Sequence, residues 1–211
     1  MQTLVNVEVK MERIKEIIEI ELTGEFKSCT LEIIEDYYED MLTCIGSDAP
    51  TDHHGYVGGW ITHTLGVLEN AVMICNMYPF LHRQLMVMGA ILHDLGKLKD
   101  YTLVGNTFEH NSSRYLLGHC AEGVSILSKY LEKYNIEKHL KDGILHIVGC
   151  HMGSQPSASI MQPVMPEAIF LNFADHMDAL AEPVREAKEK TQIGDWTDYV
   201  VGTAERKLYI V

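Results

Sequence analysis

The stretch Gly89-Ala90-Ile91-Leu92-His93-Asp94-Leu95-Gly96-Lys97 places a histidine beside an aspartate at the end of an apolar run. Residues Met86 to Leu92 are apolar on nearly every side, which predicts a buried helix. His93 and Asp94 then lie where the core meets a cleft. An imidazole and a carboxylate side by side can bind one divalent cation, and the second carboxylate oxygen can bridge to another. Lys97 follows one turn after Asp94 on the same face, where its ammonium could hold a phosphate without being a ligand itself.

A histidine–aspartate pair also occurs by chance, as a helix-end histidine beside a solvated aspartate. Four further residues favour the metal site, namely His63, His119, His151 and Asp175. With His93 between the first two, successive members lie 30, 26, 32 and 24 residues apart. Helical bundles build metal sites from inward-facing side chains on separate helices, and these gaps suit one ligand per helix. For His119 and His151 the alternative is a core or helix-end histidine whose ring bonds a backbone carbonyl.

Composition indicates one globular domain, because 46% of the 211 residues are apolar and can bury a sizeable core. No apolar run approaches the ~18 residues of a membrane span. Residues 1–10 lack a basic region followed by an apolar one, so a secretory signal is not expected. The five cysteines are scattered and form no Cys-x-x-Cys pair, which favours reduced thiols in a cytoplasmic protein.

The formal net charge is −13, and the 17 Lys and Arg residues form no dense cluster. Such a charge repels long nucleic acid unless a local basic groove offsets it, so duplex DNA is not an expected partner and neither is a membrane. A small phosphorylated substrate, drawn in by metal ions and a few cations, fits this balance better.

Apolar residues recur at helical spacing along most of the chain and predict an all-α bundle of six or more helices. The predicted helices are Met11–Leu22, Thr30–Ile45, Trp60–Met77, Arg83–Leu95, Tyr115–Tyr134, Ile136–Met152 and Glu167–Lys190. Turns or loops are predicted at Gly46–Pro50, Thr51–Gly59 and Gly153–Pro166. Gly24 is predicted to end the first helix, and Pro183 is a candidate bend in the last.

Small β elements are the expected exception to this pattern. Thr3–Val9 alternates like a strand and could pair with Lys207–Val211. Lys99–Ser113 is polar and predicts either a loop or a small hairpin around Val104–Thr107, which in either form could cover the site as a lid. We expect three parts: residues 1–50 as N-terminal helices packed on the same domain, 51–195 as the metal-binding helical domain, and 196–211 as a C-terminal tail.

Several motifs resemble a known family when they are taken together. His63, His93-Asp94 and Asp175 resemble the signature of the HD-domain superfamily of metal-dependent phosphohydrolases. Longer motifs over about residues 53–181 are similar to the HD domain of bacterial 3′→5′ exoribonucleases that carry an N-terminal OB-fold. These motifs are His54-Gly55-Tyr56-Val57-Gly58-Gly59-Trp60-Ile61-Thr62-His63-Thr64, Leu92-His93-Asp94-Leu95-Gly96-Lys97, Leu116-Leu117-Gly118-His119, His146-Ile147-Val148-Gly149-Cys150-His151 and Asp175-His176-Met177-Asp178-Ala179.

The resemblance implies one or two divalent metal ions, with Mn²⁺, Fe²⁺, Co²⁺, Ni²⁺ and Zn²⁺ all compatible with the ligand types. The first ion would be bound by His63, His93, Asp94 and Asp175, and the second by Asp94, His119 and His151. The implied chemistry is hydrolysis by a metal-activated water, with Asp94 and Lys97 as catalytic residues. Candidate substrate contacts are Lys97, His54, Asp178 and Arg114, with Asp178 alternatively orienting a metal ligand. The remaining histidines are predicted to lie outside the site: His146 packed or at the surface, and His53, His82, His110, His139 and His176 at the surface.

Two departures from the family pattern leave the substrate open. Met152 stands where relatives with two metal ions often have a histidine, and a thioether is a poor ligand for hard cations, so the second ion would be weak or completed by water. The ~50 residues before His53 predict helices and not a five-stranded OB barrel. A nuclease or phosphodiesterase acting on a nucleotide or short single-stranded oligonucleotide, a nucleotide phosphomonoesterase, and a non-catalytic nucleotide sensor all remain candidates, and the oligomeric state is undetermined.

Overall fold

The computed structural model describes residues 4–47, 54–104, 107–153, 159–204 and 206–211. The helices are α1 (Leu4–Glu21), α2 (Gly24–Asp36), α3 (Tyr38–Thr43), α4 (Gly59–Met77), α5 (Arg83–Leu92), α6 (Lys97–Asp100), α7 (Ser112–Leu116), α8 (His119–Leu131), α9 (Lys138–Cys150) and α10 (Pro166–Lys190). The strands are β1 (Tyr101–Val104), β2 (Thr107–His110), β3 (Trp196–Val200) and β4 (Arg206–Tyr209). The predicted all-α class is confirmed, with two small antiparallel hairpins added.

Helix α5 forms the centre of the bundle, as its all-round apolar sequence predicts. Every residue from Leu85 to Leu92 is buried, and α1, α4, α9 and α10 all pack against this helix. Helix α10 lies along α4, where Gly66 allows close approach because a Cβ there would overlap the Asp178 carboxylate. Asn70 of α4 also donates a hydrogen bond of 3.0 Å to the carbonyl oxygen of Ala174 on α10.

The end of α5 differs from the prediction, because the helix stops at Leu92 and not at Leu95. A turn over residues 93–96 leads directly into α6. A Cβ at Gly96 would overlap the carbonyl oxygen of His119, so glycine lets this corner rest on the start of α8. The turn between α5 and α6 therefore brings Asp94 close to His119.

The predicted strand at Thr3–Val9 is wrong, since residues 4–9 belong to α1, and Thr3 lies outside the described residues. Val7, Met11, Ile14 and Ile18 are buried at helical spacing, which shows that the short alternation was part of a 3.6-residue period. The predicted C-terminal strand is present as β4, but its partner is β3 and not the helical residues 4–9. Gly24 does not end the first helix as predicted, because it is the first residue of α2, with φ +54°, and a gap of two residues separates it from the end of α1. Tyr37 separates α2 from α3, where the sequence predicts a single helix.

The other connections agree with prediction where they are described. Strands β1 and β2 pair with Tyr101 opposite His110, which confirms the hairpin alternative, although residues 105–106 are outside the described chain. Residues 48–53 and 154–158 of the predicted loops are likewise outside it. Helix α10 continues through Pro183 as one element. Among the described residues, no helix combines the length and apolar character needed to cross a membrane.

Candidate metal centre

The six predicted metal ligands meet at one point, and each helix that supplies them does so at a defined place. His63 lies in the second turn of α4, and Asp175 lies midway along α10. His119 is the first residue of α8, whereas His93-Asp94 and His151 directly follow the last residues of α5 and α9. As predicted, side chains from separate helices converge on one place in the bundle. Four of the six are at most 1% exposed, namely His63, His93, Asp94 and His151.

His63, His93 and Asp175 lie close together, with one carboxylate oxygen of Asp94 beside the two imidazoles, and we call these four residues the first half-site. His63 Nε2 lies 3.2 Å from His93 Nε2 and 3.1 Å from Asp175 Oδ1. Asp94 Oδ2 lies 3.6 Å from His63 Nε2 and 3.4 Å from His93 Nε2. Donor atoms that share one cation at ~2.1 Å each lie roughly 3 to 4 Å from one another, so His63, His93 and Asp175 could hold a single ion, with Asp94 Oδ2 close to the two imidazoles.

The other oxygen of Asp94 faces the second half-site, which consists of His119 and His151. Their Nε2 atoms are 3.3 Å apart. Asp94 Oδ1 lies 3.7 Å from His119 Nε2 and 3.4 Å from His151 Nε2. One carboxylate thus serves both groups with separate oxygens, which is the arrangement of a bridging ligand.

Hydrogen bonds behind three imidazoles fix which ring nitrogen faces the centre. His93 donates from Nδ1 to the carbonyl of Ala90 at 2.8 Å, and His151 does so to Val148 at 2.9 Å. His63 Nδ1 lies 2.7 Å from Asp178 Oδ2, a carboxylate oxygen that can only accept. Since each Nδ1 carries a proton, Nε2 is the nitrogen that faces inward and could coordinate a cation, as in carboxylate– or carbonyl–histidine–metal triads. His63 Nε2 and His93 Nε2, 3.2 Å apart, repel each other unless a proton or a metal cation lies between them.

Asp94 provides the clearest indication that a cation fits. Both of its oxygens are buried, and Oδ1 has no hydrogen-bond partner among the described residues. Oδ2 is paired with the ammonium of Lys97, which lies 2.7 Å away and supplies the nearest positive charge. A buried carboxylate oxygen without a hydrogen bond costs on the order of 1–3 kcal/mol, which coordination to a divalent ion would offset. The donor set of imidazoles and carboxylates suits the borderline and hard cations predicted from the sequence.

The charges differ between the half-sites. Burial lowers the pKa of His63, but Asp175 and Asp178 outweigh it and raise that pKa to about 9. Burial alone would raise the pKa of Asp94, yet Lys97 and His93 hold it well below the usual range. In the second half-site, burial lowers the pKa of His119 to about 3. Burial also lowers the pKa of His151, but Asp94 and Cys120 outweigh it and raise that pKa well above its usual value, so Asp94 favours positive charge in both half-sites.

Two predicted substrate residues lie behind His63. Asp178 Oδ2 contacts both His63 and, at 3.0 Å, Nε2 of His54. His54 is buried with φ +55°, its backbone N–H donates to the Glu182 carboxylate, and its Nδ1 lies 3.1 Å from the Tyr56 hydroxyl. Neither residue is among the described side chains that line the cleft over the metal centre. This placement favours the alternative in which Asp178 orients a ligand.

A cleft of about 640 Å³ opens onto both half-sites. Lys97 lines it, with its ammonium also donating at 2.6 Å to the carbonyl of Gly46. Arg114 lines its edge, where Nη1 donates to the Tyr101 hydroxyl at 3.0 Å. The wall also includes Tyr115, Met152, His176, Val201 and Gly202. Val201 and Gly202 follow β3, so the segment assigned to a tail contributes to the cleft; whether residues 99–113 act as a lid stays a prediction.

Cys120 is the neighbour that the sequence interpretation missed. Its Sγ lies 3.6 Å from His119 Nε2 and 3.9 Å from His151 Nδ1. The side chain is buried, and in the sequence only its position directly after His119 could have indicated a role at the site.

The histidines predicted to lie outside the site do so where they are described. His146 Nε2 accepts a hydrogen bond of 3.0 Å from the backbone N–H of Val164. The other described members are exposed, namely His82, His110, His139 and His176, although His176 borders the cleft. His53 lies outside the described residues.

Comparisons with known proteins agree with this geometry. Residues 60–180 match the family model for the HD domain. The chain is 32% identical to a protein named 3′-5′ exoribonuclease YhaM from Bacillus subtilis (strain 168) over 76% of this chain and 51% of that protein. A YhaM from Geobacillus sp. (strain WCH70) is 32% identical over 76% of this chain and 49% of its own length. The chain thus spans about half the length of the curated relatives it matches. No solved structure matches it.

Proposed function

The chain belongs to the HD domain family, and on that premise we propose that it is a metal-dependent phosphohydrolase that removes nucleotides from the 3′ end of short single-stranded RNA. The observation that carries the proposal is Asp94, whose two buried oxygens face two groups of imidazoles at the floor of a cleft. The names of the relatives support the substrate class.

His63, His93, Asp94 and Asp175 would hold one divalent ion, and Asp94, His119 and His151 a second. The compatible ions are Mn²⁺, Fe²⁺, Co²⁺, Ni²⁺ and Zn²⁺. When bound, such ions supply the acidity that activates a water near neutral pH and the positive charge that stabilises phosphoryl oxygens.

The protein's own cations would position the phosphate. Contact with Asp94 raises the pKa of Lys97 although burial alone would lower it, so the side chain is charged at neutral pH. Its ammonium, next to Asp94 Oδ2 on the cleft wall, can donate to a phosphoryl oxygen as charge develops there. Arg114 at the cleft edge can contact a neighbouring phosphate in a bidentate way.

The size of the cleft supports a single-stranded end as substrate. About 640 Å³ lies within the range of small-molecule sites, which is space for a terminal nucleotide and not for a duplex. A net charge of −13 also opposes the binding of long nucleic acid.

The test is digestion of a 5′-labelled single-stranded RNA by Mn²⁺-loaded protein, with Asp94→Ala as the inactive variant and His139→Ala, an exposed histidine, as the matched control. We expect a ladder that shortens from the 3′ end with the unmodified protein and His139→Ala, and none with Asp94→Ala. An intact RNA would overturn the exonuclease proposal. Phosphate release from mononucleotides would then indicate a phosphomonoesterase, which the acidic charge favours, and nucleotide binding without hydrolysis would indicate a sensor.

A further inference from the structure

Away from the cleft, α4 and α10 present an exposed apolar surface that we call the α4–α10 face. Its members are Met73, Met77, Tyr78, Phe80, Ile169, Phe170, Phe173 and Met177. Phe80 is 69% exposed, Phe173 63% and Met77 62%. Large aromatic and thioether side chains normally lie inside a soluble domain, so a group of them at the surface needs an explanation.

Helix geometry makes this surface continuous. Met73 and Met77 follow Asn70 by about one and two turns, on the side of α4 that meets α10. Ile169, Phe173 and Met177 are spaced by four residues and form one stripe along α10.

Aromatic contacts join the two helices at one end of this surface. The ring centroid of Phe170 lies 5.1 Å from that of Tyr78 and 6.1 Å from that of Phe80. Tyr78 and Phe80 are themselves 6.1 Å apart. The face is therefore a single patch, and none of its eight side chains carries a charge.

The exposed apolar area of the face indicates what kind of partner covers it. The exposed fractions of its members correspond to roughly 700 Å², which exceeds the largest apolar patch of a typical monomer, about 300–600 Å². A standard protein–protein interface buries about 800 Å² on each partner. One such face is thus nearly enough to form half of a stable interface without further contacts.

We propose that the α4–α10 face binds the same face of a second copy, giving a twofold homodimer. A twofold interface brings the same patch together from both subunits, and an uncharged apolar patch is compatible with itself. Each copy carries a net charge of −13, so association has to come from uncharged area, which this face offers. Raising the salt concentration should therefore strengthen the dimer by screening repulsion between the copies.

Sedimentation and light scattering between about 1 and 100 µM test this proposal. We expect a species of twice the 23.9 kDa chain mass, stronger in high salt. Phe173→Asp and Phe80→Asp should each yield a monomer, because a charge in the middle of an apolar interface is left unpaired. Ile20→Asp is the matched control, since Ile20 is 73% exposed on α1 and lies outside the face. Circular dichroism melting of every variant shows that loss of the dimer is not loss of the fold.

A monomer at all concentrations would overturn the proposal, as would a dimer that survives both Asp substitutions.

Discussion

The two half-sites share Asp94 but differ in what lies behind their imidazoles. In the first, Asp178 backs His63 and Asp175 joins as a further carboxylate, 3.1 Å from the imidazole. In the second, the Val148 carbonyl and the Cys120 thiol lie behind His151, and Asp94 is the one carboxylate among the described neighbours. Cation affinity rises with the negative charge and the rigidity of the ligand set. From this comparison we predict a tight first half-site and a weaker, exchangeable second one.

The largest effect should come from the residue that the half-sites share. Asp94→Ala removes an oxygen from each, so we expect both ions to be lost and hydrolysis to fall by at least about a thousandfold. Elemental analysis after gel filtration measures metal per chain. Asp142→Ala on the exposed side of α9 is the matched control and should keep its metal. An Asp94→Ala protein with one ion still bound would show that one half-site does not need the bridge.

The second-largest effect should distinguish the Mn²⁺ affinities of the two half-sites. Asp175→Asn weakens a ligand and removes a charge, so the tighter Mn²⁺ affinity should fall by about 100-fold or more, whereas His151→Gln should change it only a few-fold. Isothermal titration with Mn²⁺ measures both affinities. The comparison would be wrong if His151→Gln abolished the tighter binding event and Asp175→Asn left it intact.

A smaller effect tests the carboxylate behind His63. Asp178→Asn keeps a hydrogen-bond acceptor near Nδ1 but removes the charge, so we expect a 10- to 100-fold loss of Mn²⁺ affinity at the first half-site. His54→Gln, one step further from the ion, should cost less. If Asp178→Asn instead raised the KM for RNA and left metal affinity unchanged, Asp178 would contact substrate, as one of the sequence-based alternatives holds.

The candidate ligands could be predicted because the resemblance to the HD-domain signature implied the set, and because His63, the His93-Asp94 pair, His119, His151 and Asp175 each lie on or at the end of a different helix. The pairing of His54 with Asp178 was harder, since it depends on how α10 packs beside the loop before α4. The end of α5 at Leu92 was missed because a tertiary contact, Gly96 on the start of α8, sets it. A strand is predicted over residues 4–9 because a short alternating run fits both the two-residue period of a strand and the 3.6-residue period of a helix. Only the next two turns of sequence distinguish the helix from the strand.

The smallest effect should be a gain at the second half-site. Met152 is 37% exposed, follows His151 in the chain and lines the cleft, and a thioether is a poor ligand for a hard cation. Met152→His offers an imidazole there, and we expect roughly tenfold tighter binding of the weaker Mn²⁺ ion with little change at the tighter one. Met161→His, also exposed but not among the residues that line the cleft, is the matched control. Unchanged affinity in Met152→His would mean that position 152 does not point toward the second ion, and the weakness of that half-site would then follow from the shortage of carboxylates alone.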